Sequence, residues 1–139
     1  AGIQDIRLGL EADGKLRYVA SFVITRPVDA AQASGLMRTL VGRADVSVPG
    51  REAVVARVEV AAGAKAGRHT HPGDEISYIM EGEAQLLIDG QPPRTVKAGE
   101  SFVIPAGVVH DAHNTSSAPV KLVGVYVVEK GKPLASPAP

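Results

Sequence analysis

The chain has 139 residues, 45% of them apolar and 22% charged, with no net charge when histidine is neutral. One domain with its own core fits that length. Scattered Lys and Arg and only 4% aromatic residues exclude the clustered cations and stacking rings of a nucleic-acid surface. No apolar run approaches the roughly 18 residues of a membrane helix. The absence of cysteine excludes disulfides, thiolate metal ligands and a cysteine nucleophile. It leaves the compartment open, with the cytoplasm favoured over the periplasm.

In chain order, "DIRLGL" (5–10) and "KLRYVASFVI" (15–24) flank Asp13-Gly14, a hairpin signal. Residues 18–34, "YVASFVITRPVDAAQAS", end in an Ala-x-Ala pattern at Ala31–Ala33 and faintly resemble a secretory leader. Arg26, Pro27 and Asp29 interrupt that apolar segment, which favours an N-terminal strand pair. Residues 27–38 read as a helical turn or linker. "REAVVARVEV" (51–60), "EISYIM" (75–80), "AQLLI" (84–88), "SFVIP" (101–105) and "VKLVGVYVV" (120–128) read as strands rich in Val and Ile. Fifteen glycines and ten prolines punctuate these runs. Many short strands with tight turns and no helical stripe after residue 50 predict an all-β sandwich or barrel of antiparallel strands. Three parts are expected: residues 1–50 as strands or linker packed on the barrel or a partner, 51–130 as the barrel, and 131–139 as a Pro-rich flexible tail.

The chemistry concentrates in "GAKAGRHTHPGDEISYIMEG" (63–82). On a strand, His69 and His71 project from one face, about 6–7 Å apart. Pro72-Gly73-Asp74 turns the chain and lets Glu75 come alongside. His110 follows the Pro105-Ala106-Gly107 turn and would arrive from a distant segment. Three imidazoles and a carboxylate suit a divalent first-row metal. Each residue alone has a plainer reading, as a surface histidine pair, a turn carboxylate or a loop histidine; the joint pattern points to a site. His113 is out of step with His110 by an odd number of residues and is read as a non-ligand.

Gly63, His69, His71, Glu75 and Gly82 form the pattern G-x5-H-x-H-x3-E-x6-G, and Gly99, Pro105, Gly107, His110 and Asn114 form G-x5-P-x-G-x2-H-x3-N. These resemble the two motifs of the cupin superfamily in its small single-domain bacterial form. The resemblance covers residues 53–128. It implies a jelly-roll barrel, also described as a double-stranded β-helix. It further implies one divalent metal held by His69, His71, Glu75 and His110. Manganese or iron is favoured by similarity to cupin oxygenases, with zinc, nickel, cobalt and copper open. It points to a quercetinase-like oxygenase acting on a small organic molecule and dioxygen, in which Glu75 also moves a proton. A non-catalytic ligand- or metal-binding role, or isomerase, decarboxylase or lyase chemistry, fits the same residues. Ile79, Leu87, Phe102, Ile104 and Tyr126 are candidate pocket walls. Arg57 and Arg68, the nearest cations in sequence, read as solvated, so a weakly polar substrate is expected. Exposed sheet edges and the apolar early segment suggest a homodimer.

Overall fold

The structure, a computed structural model, describes Gly9–Leu10, Leu16–Arg17 and the stretch from Gly35 to Pro139. The chain forms two units, residues 1–33 and 34–139. In the first, β1 (Gly9–Leu10) pairs antiparallel with β2 (Leu16–Arg17), with Gly9 opposite Arg17. That pairing agrees with a hairpin around Asp13-Gly14. The turn itself and the leader-like run 18–34 lie outside the described residues.

The second unit is built from β3 (Leu36–Asp45), β4 (Arg51–Val60), β5 (His69–Thr70), β6 (Gly73–Glu81), β7 (Glu83–Ile88), β8 (Arg94–Lys97), β9 (Ser101–Ile104), β10 (His110–His113), β11 (Val120–Glu129) and β12 (Ser136–Pro137). All are antiparallel, and no helix occurs among the described residues. The pairs β4·β11, β5·β10, β6·β9 and β7·β8 are nested, like one long hairpin rolled over on itself. Rolling yields two five-stranded sheets, ordered β12-β5-β10-β7-β8 and β3-β4-β11-β6-β9. This is the expected jelly roll.

The period of two along each strand decides what lies between the sheets. On β6, Gly73, Glu75, Ser77 and Ile79 are buried while Ile76, Tyr78 and Met80 face out. On β11, Val120, Leu122, Tyr126 and Val128 point inward. β4 contributes Val54, Ala56, Val58 and Val60. Each fully buried aliphatic side chain stabilises the fold by about 1.5–3 kcal/mol.

The strands include some that the sequence pattern did not show. Leu36 to Arg38, read as part of a helical turn or linker, open a ten-residue strand instead, paired with β4 from Leu36↔Val60 onward. The short β8 carries one buried apolar residue, Val96, too few for a visible alternation. The segment 131–139 makes several hydrogen bonds to the barrel. β12 pairs with β5, Ala138 N–H donates to Arg68 O at 3.0 Å, and Arg68 Nε donates to Pro139 O at 2.7 Å.

The two motif segments are joined by their turns. Ala106 N–H donates to Asp74 Oδ1 at 2.9 Å, and Gly107 N–H donates to His71 O at 3.0 Å. Gly73 permits the close approach of β6 and β11, since a Cβ there would stand 1.9 Å from Val127 O. Asn114 is almost fully buried. Its Nδ2 donates to Val60, Ala61 and Ala118 carbonyls at 3.0, 3.2 and 2.8 Å. Its Oδ1 accepts from Ser116 N–H and Oγ at 3.0 and 2.7 Å. Replacing this side chain orphans buried carbonyls, so Asn114→Ala is expected to destabilise the fold by about 2–4 kcal/mol. Urea unfolding measures it; a loss below about 1 kcal/mol contradicts this role.

Candidate metal centre

His69 and His110 are directly opposed across the β5·β10 ladder, in the same register that places Ile88 on the other side of His110. His71 follows β5. Glu75 comes from the facing sheet, flanked by Ile104 on β9 and Tyr126 on β11. The rolled topology therefore brings the four residues from both sheets to one place. The ring centroids of His69, His71 and His110 lie 4.2 to 5.0 Å apart. His71, Glu75 and His110 are buried and His69 is partly buried.

Each imidazole is fixed in the same tautomer. The Nδ1 of His69 faces Gly67 O at 2.6 Å, that of His71 faces Leu134 O at 2.7 Å, and that of His110 faces Val108 O at 2.9 Å. A carbonyl only accepts, so each Nδ1 must carry the proton, and each neutral ring keeps a bare Nε2 lone pair. Further contacts hold these carbonyls. Asp111 Oδ1 accepts from Gly67 N–H at 2.8 Å, which positions the carbonyl that orients His69. On the carboxylate, Ser77 Oγ donates to Glu75 Oε2 at 2.6 Å and leaves Oε1 to face inward.

Glu75 Oε1 lies 3.1 Å from His71 Nε2 and 3.2 Å from His110 Nε2. By length these would pass for hydrogen bonds, but none of the three atoms has a hydrogen-bonding partner of acceptable geometry among the described residues. With the tautomers above, lone pair faces lone pair. Such an arrangement calls for a cation between the donors. Donors bonded to one ion at about 2.1 Å lie about 3.0–3.4 Å apart at right or tetrahedral angles, and both observed separations fall there. The three histidines can thus hold a metal ion, their ligand atoms all lying within 4.8 Å of one another, and Glu75 Oε1 faces the same point.

The electrostatics agree. Burial above all, helped by the nearby His110, His71 and Arg38, lowers the His69 pKa to about 4 despite its bond to Gly67. Burial opposes ionisation of Glu75, and the hydroxyl of Ser77, donating to Oε2, favours it. Neutral imidazoles and an ionised carboxylate are the forms that bind metal. Tyr126 is pushed up to about 12 by burial and by the Glu75 charge, so its phenol stays protonated. Its ring packs 4.8 Å from His71 and folds back over Gly124, where a Cβ would meet the hydroxyl at 2.7 Å.

A cavity of about 40 Å³ opens beside His69, Glu75 and His110. Phe102 and Tyr126 line it as expected. Ile79 and Ile104 are core residues outside its wall, and Leu86 replaces Leu87, whose alternation on β7 points it the other way. His113 stays apart, its Nε2 3.0 Å from Asp111 Oδ2. Arg57 is exposed on β4, and Arg68 pairs with Asp89 at 2.8 Å. Sequence reasoning missed Ser77, Asp111 and Arg38. Ser77 had a signal, two residues after Glu75 on one strand face. Asp111 and Arg38 had none until the register was known.

A family model for the cupin domain matches residues 56–128, just over half of the chain. The chain belongs to the cupin family. It is 32% identical over 120 residues to nectarin-1 of Nicotiana plumbaginifolia, covering 77% of this chain and 49% of that protein. It is 43% identical over 42 residues to dimethylsulfoniopropionate lyase DddQ of Ruegeria pomeroyi, covering 30% of this chain and 21% of that one. Among solved structures, an oxalate oxidase in complex with the substrate analogue glycolate superposes with a TM-score of 0.60 at 26% identity, covering 76% of this chain and 62% of that chain. The chain spans about a fifth to a half of the length of these two curated relatives.

The lowered pKa of His69 has a consequence for metal-free protein. The unfolded chain takes up a proton near pH 6.5, whereas the folded site resists it until about pH 4. Stability should therefore fall as pH drops through that window. Melting of the chelator-treated protein from pH 7.5 to 4 is expected to show a slope that His69→Gln reduces. An identical slope in the variant contradicts this.

Proposed function

We propose that this cupin is an oxygen-dependent metalloenzyme acting on a small organic molecule, with one divalent ion held by His69, His71, Glu75 and His110. The observation that supports it is the convergence of Nε2 lone pairs and Glu75 Oε1 beside a small cavity. Manganese or iron is the favoured ion, with zinc, nickel, cobalt and copper as alternatives. When bound, the ion supplies Lewis acidity and open positions for substrate and dioxygen.

The chain's own residues supply the rest. The three carbonyl-bound Nδ1 atoms keep the ligand nitrogens aimed inward without reorganisation. Ser77 fixes one oxygen of Glu75, and the ionised carboxylate can accept a proton at the other. Leu86, Phe102 and Leu122 give the cavity an apolar wall. The likeness to an oxalate oxidase supports oxygen-dependent chemistry. The local identity to DddQ favours a second reading, lyase chemistry on the same site.

Protein purified without chelating resin is expected to carry about one equivalent of manganese or iron, and His110→Ala to lose at least tenfold in metal affinity. Dioxygen uptake with a panel of small organic substrates then tests the reaction. Turnover without dioxygen consumption moves the reading to lyase or isomerase chemistry. Ligand-induced stabilisation without turnover moves it to a binding role.

A homodimer is part of the same proposal. Ile76, Tyr78, Met80 and Val103 form an exposed apolar face on the β6·β9 side of one sheet, the kind of surface that association covers. Light scattering at micromolar concentration is expected to return twice the mass of the chain, and a monomer excludes it.

A further inference from the structure

We infer that the cavity takes its substrate as a small carboxylate, with the Arg38 guanidinium as the anchor for the anionic group. Arg38 lies on the inward-facing side of β3, two residues after the buried Leu36 and paired in register with the buried Val58. It lines the same cavity as His69, Glu75 and His110. Its Cζ stands 6.0 Å from the Tyr126 ring centroid, against the aromatic wall. Its Nε is buried without a hydrogen-bond partner, and it makes no ion pair among the described residues.

A buried guanidinium N–H left unpaired costs about 1–3 kcal/mol, more when charged. Apolar neighbours such as Val58, Leu86 and Leu122 do nothing to relieve it. The arginines that form salt bridges among the described residues, Arg43 and Arg68, are on the surface. The Nε–H is therefore left open on a guanidinium that lines the cavity, and a guanidinium edge fits a carboxylate. Glu75 does not serve as its partner, because Oε2 is held by Ser77 and Oε1 faces the histidines. The cavity is small, about 40 Å³, and suits a small ligand. A small carboxylic acid meets both demands. Arg38 on one side and the histidine cluster on the other would hold its two ends.

This deepens the metalloenzyme reading and rests on it only for the contact at the histidines. The test is calorimetric titration of glycolate, ethylene glycol and inorganic phosphate into the full chain, as purified and after metal removal. Wild type is compared with Arg38→Met and Arg38→Lys, with metal content and circular dichroism recorded for each. Glycolate is expected to bind the metal-loaded wild type at least tenfold more tightly than ethylene glycol or phosphate. Arg38→Met should weaken glycolate by about ten- to hundredfold at unchanged metal content, and Arg38→Lys by less. If Arg38→Met does not fold, the lysine variant decides, since it keeps the charge and loses the fork. Unchanged glycolate affinity in a folded variant with full metal content overturns the inference and leaves the metal site standing. Phosphate binding more tightly than glycolate also overturns it. Protein without metal that still binds glycolate in an Arg38-dependent way upholds the inference and removes the metal reading instead.

Discussion

Three backbone carbonyls, those of Gly67, Val108 and Leu134, each accept the Nδ1 proton of a histidine. The rest of the site depends on that constraint. Once Nδ1 is the protonated nitrogen, Nε2 has to present a lone pair, and in His71 and His110 it does so against a carboxylate oxygen 3.1 and 3.2 Å away. Neither the fold nor the hydrogen bonds within it relieve that opposition. A cation does. The barrel holds its donors ready, at a cost in stability that the surrounding core offsets.

The carbonyls themselves come from three different places in the chain. Gly67, two residues before β5, is held by the side chain of Asp111 on β10. Val108 lies in the turn that follows β9. Leu134 belongs to the C-terminal segment, which β12 ties to β5. The Pro-rich C-terminal segment thus orients His71. Pairing of the two motif turns, through Asp74 to Ala106 and His71 to Gly107, brings the two ligand-bearing segments together.

Much of this was legible in the sequence. The alternation in 51–60, 75–80 and 120–128 placed the inward faces of β4, β6 and β11, and the two motifs named the ligand candidates before any register was known. What escaped has physical reasons. The strand at 36–45 was hidden because it sits at a sheet edge, where only Leu36 is buried and the solvent-facing residues carry no apolar alternation. β8 was too short to show a period. Leu87 was assigned to the wall because a run of three aliphatic residues, Leu86-Leu87-Ile88, does not reveal which phase faces in; burial selects Leu86 and Ile88. Arg38 escaped for the deepest reason. Its place beside the histidines follows from the pairing of β3 with β4 and from the closure of two sheets, a relation among residues far apart in sequence. Distance along the chain had pointed to Arg57 and Arg68, which the fold turns outward.

The most direct measurement is anomalous diffraction from crystals of the protein grown with manganese. The account predicts one strong peak per chain, at the point shared by Nε2 of His69, His71 and His110 and by Glu75 Oε1. Nδ1 of each ring should remain on its carbonyl. No peak in the barrel, or a metal bound instead at Asp111 and His113, would contradict it.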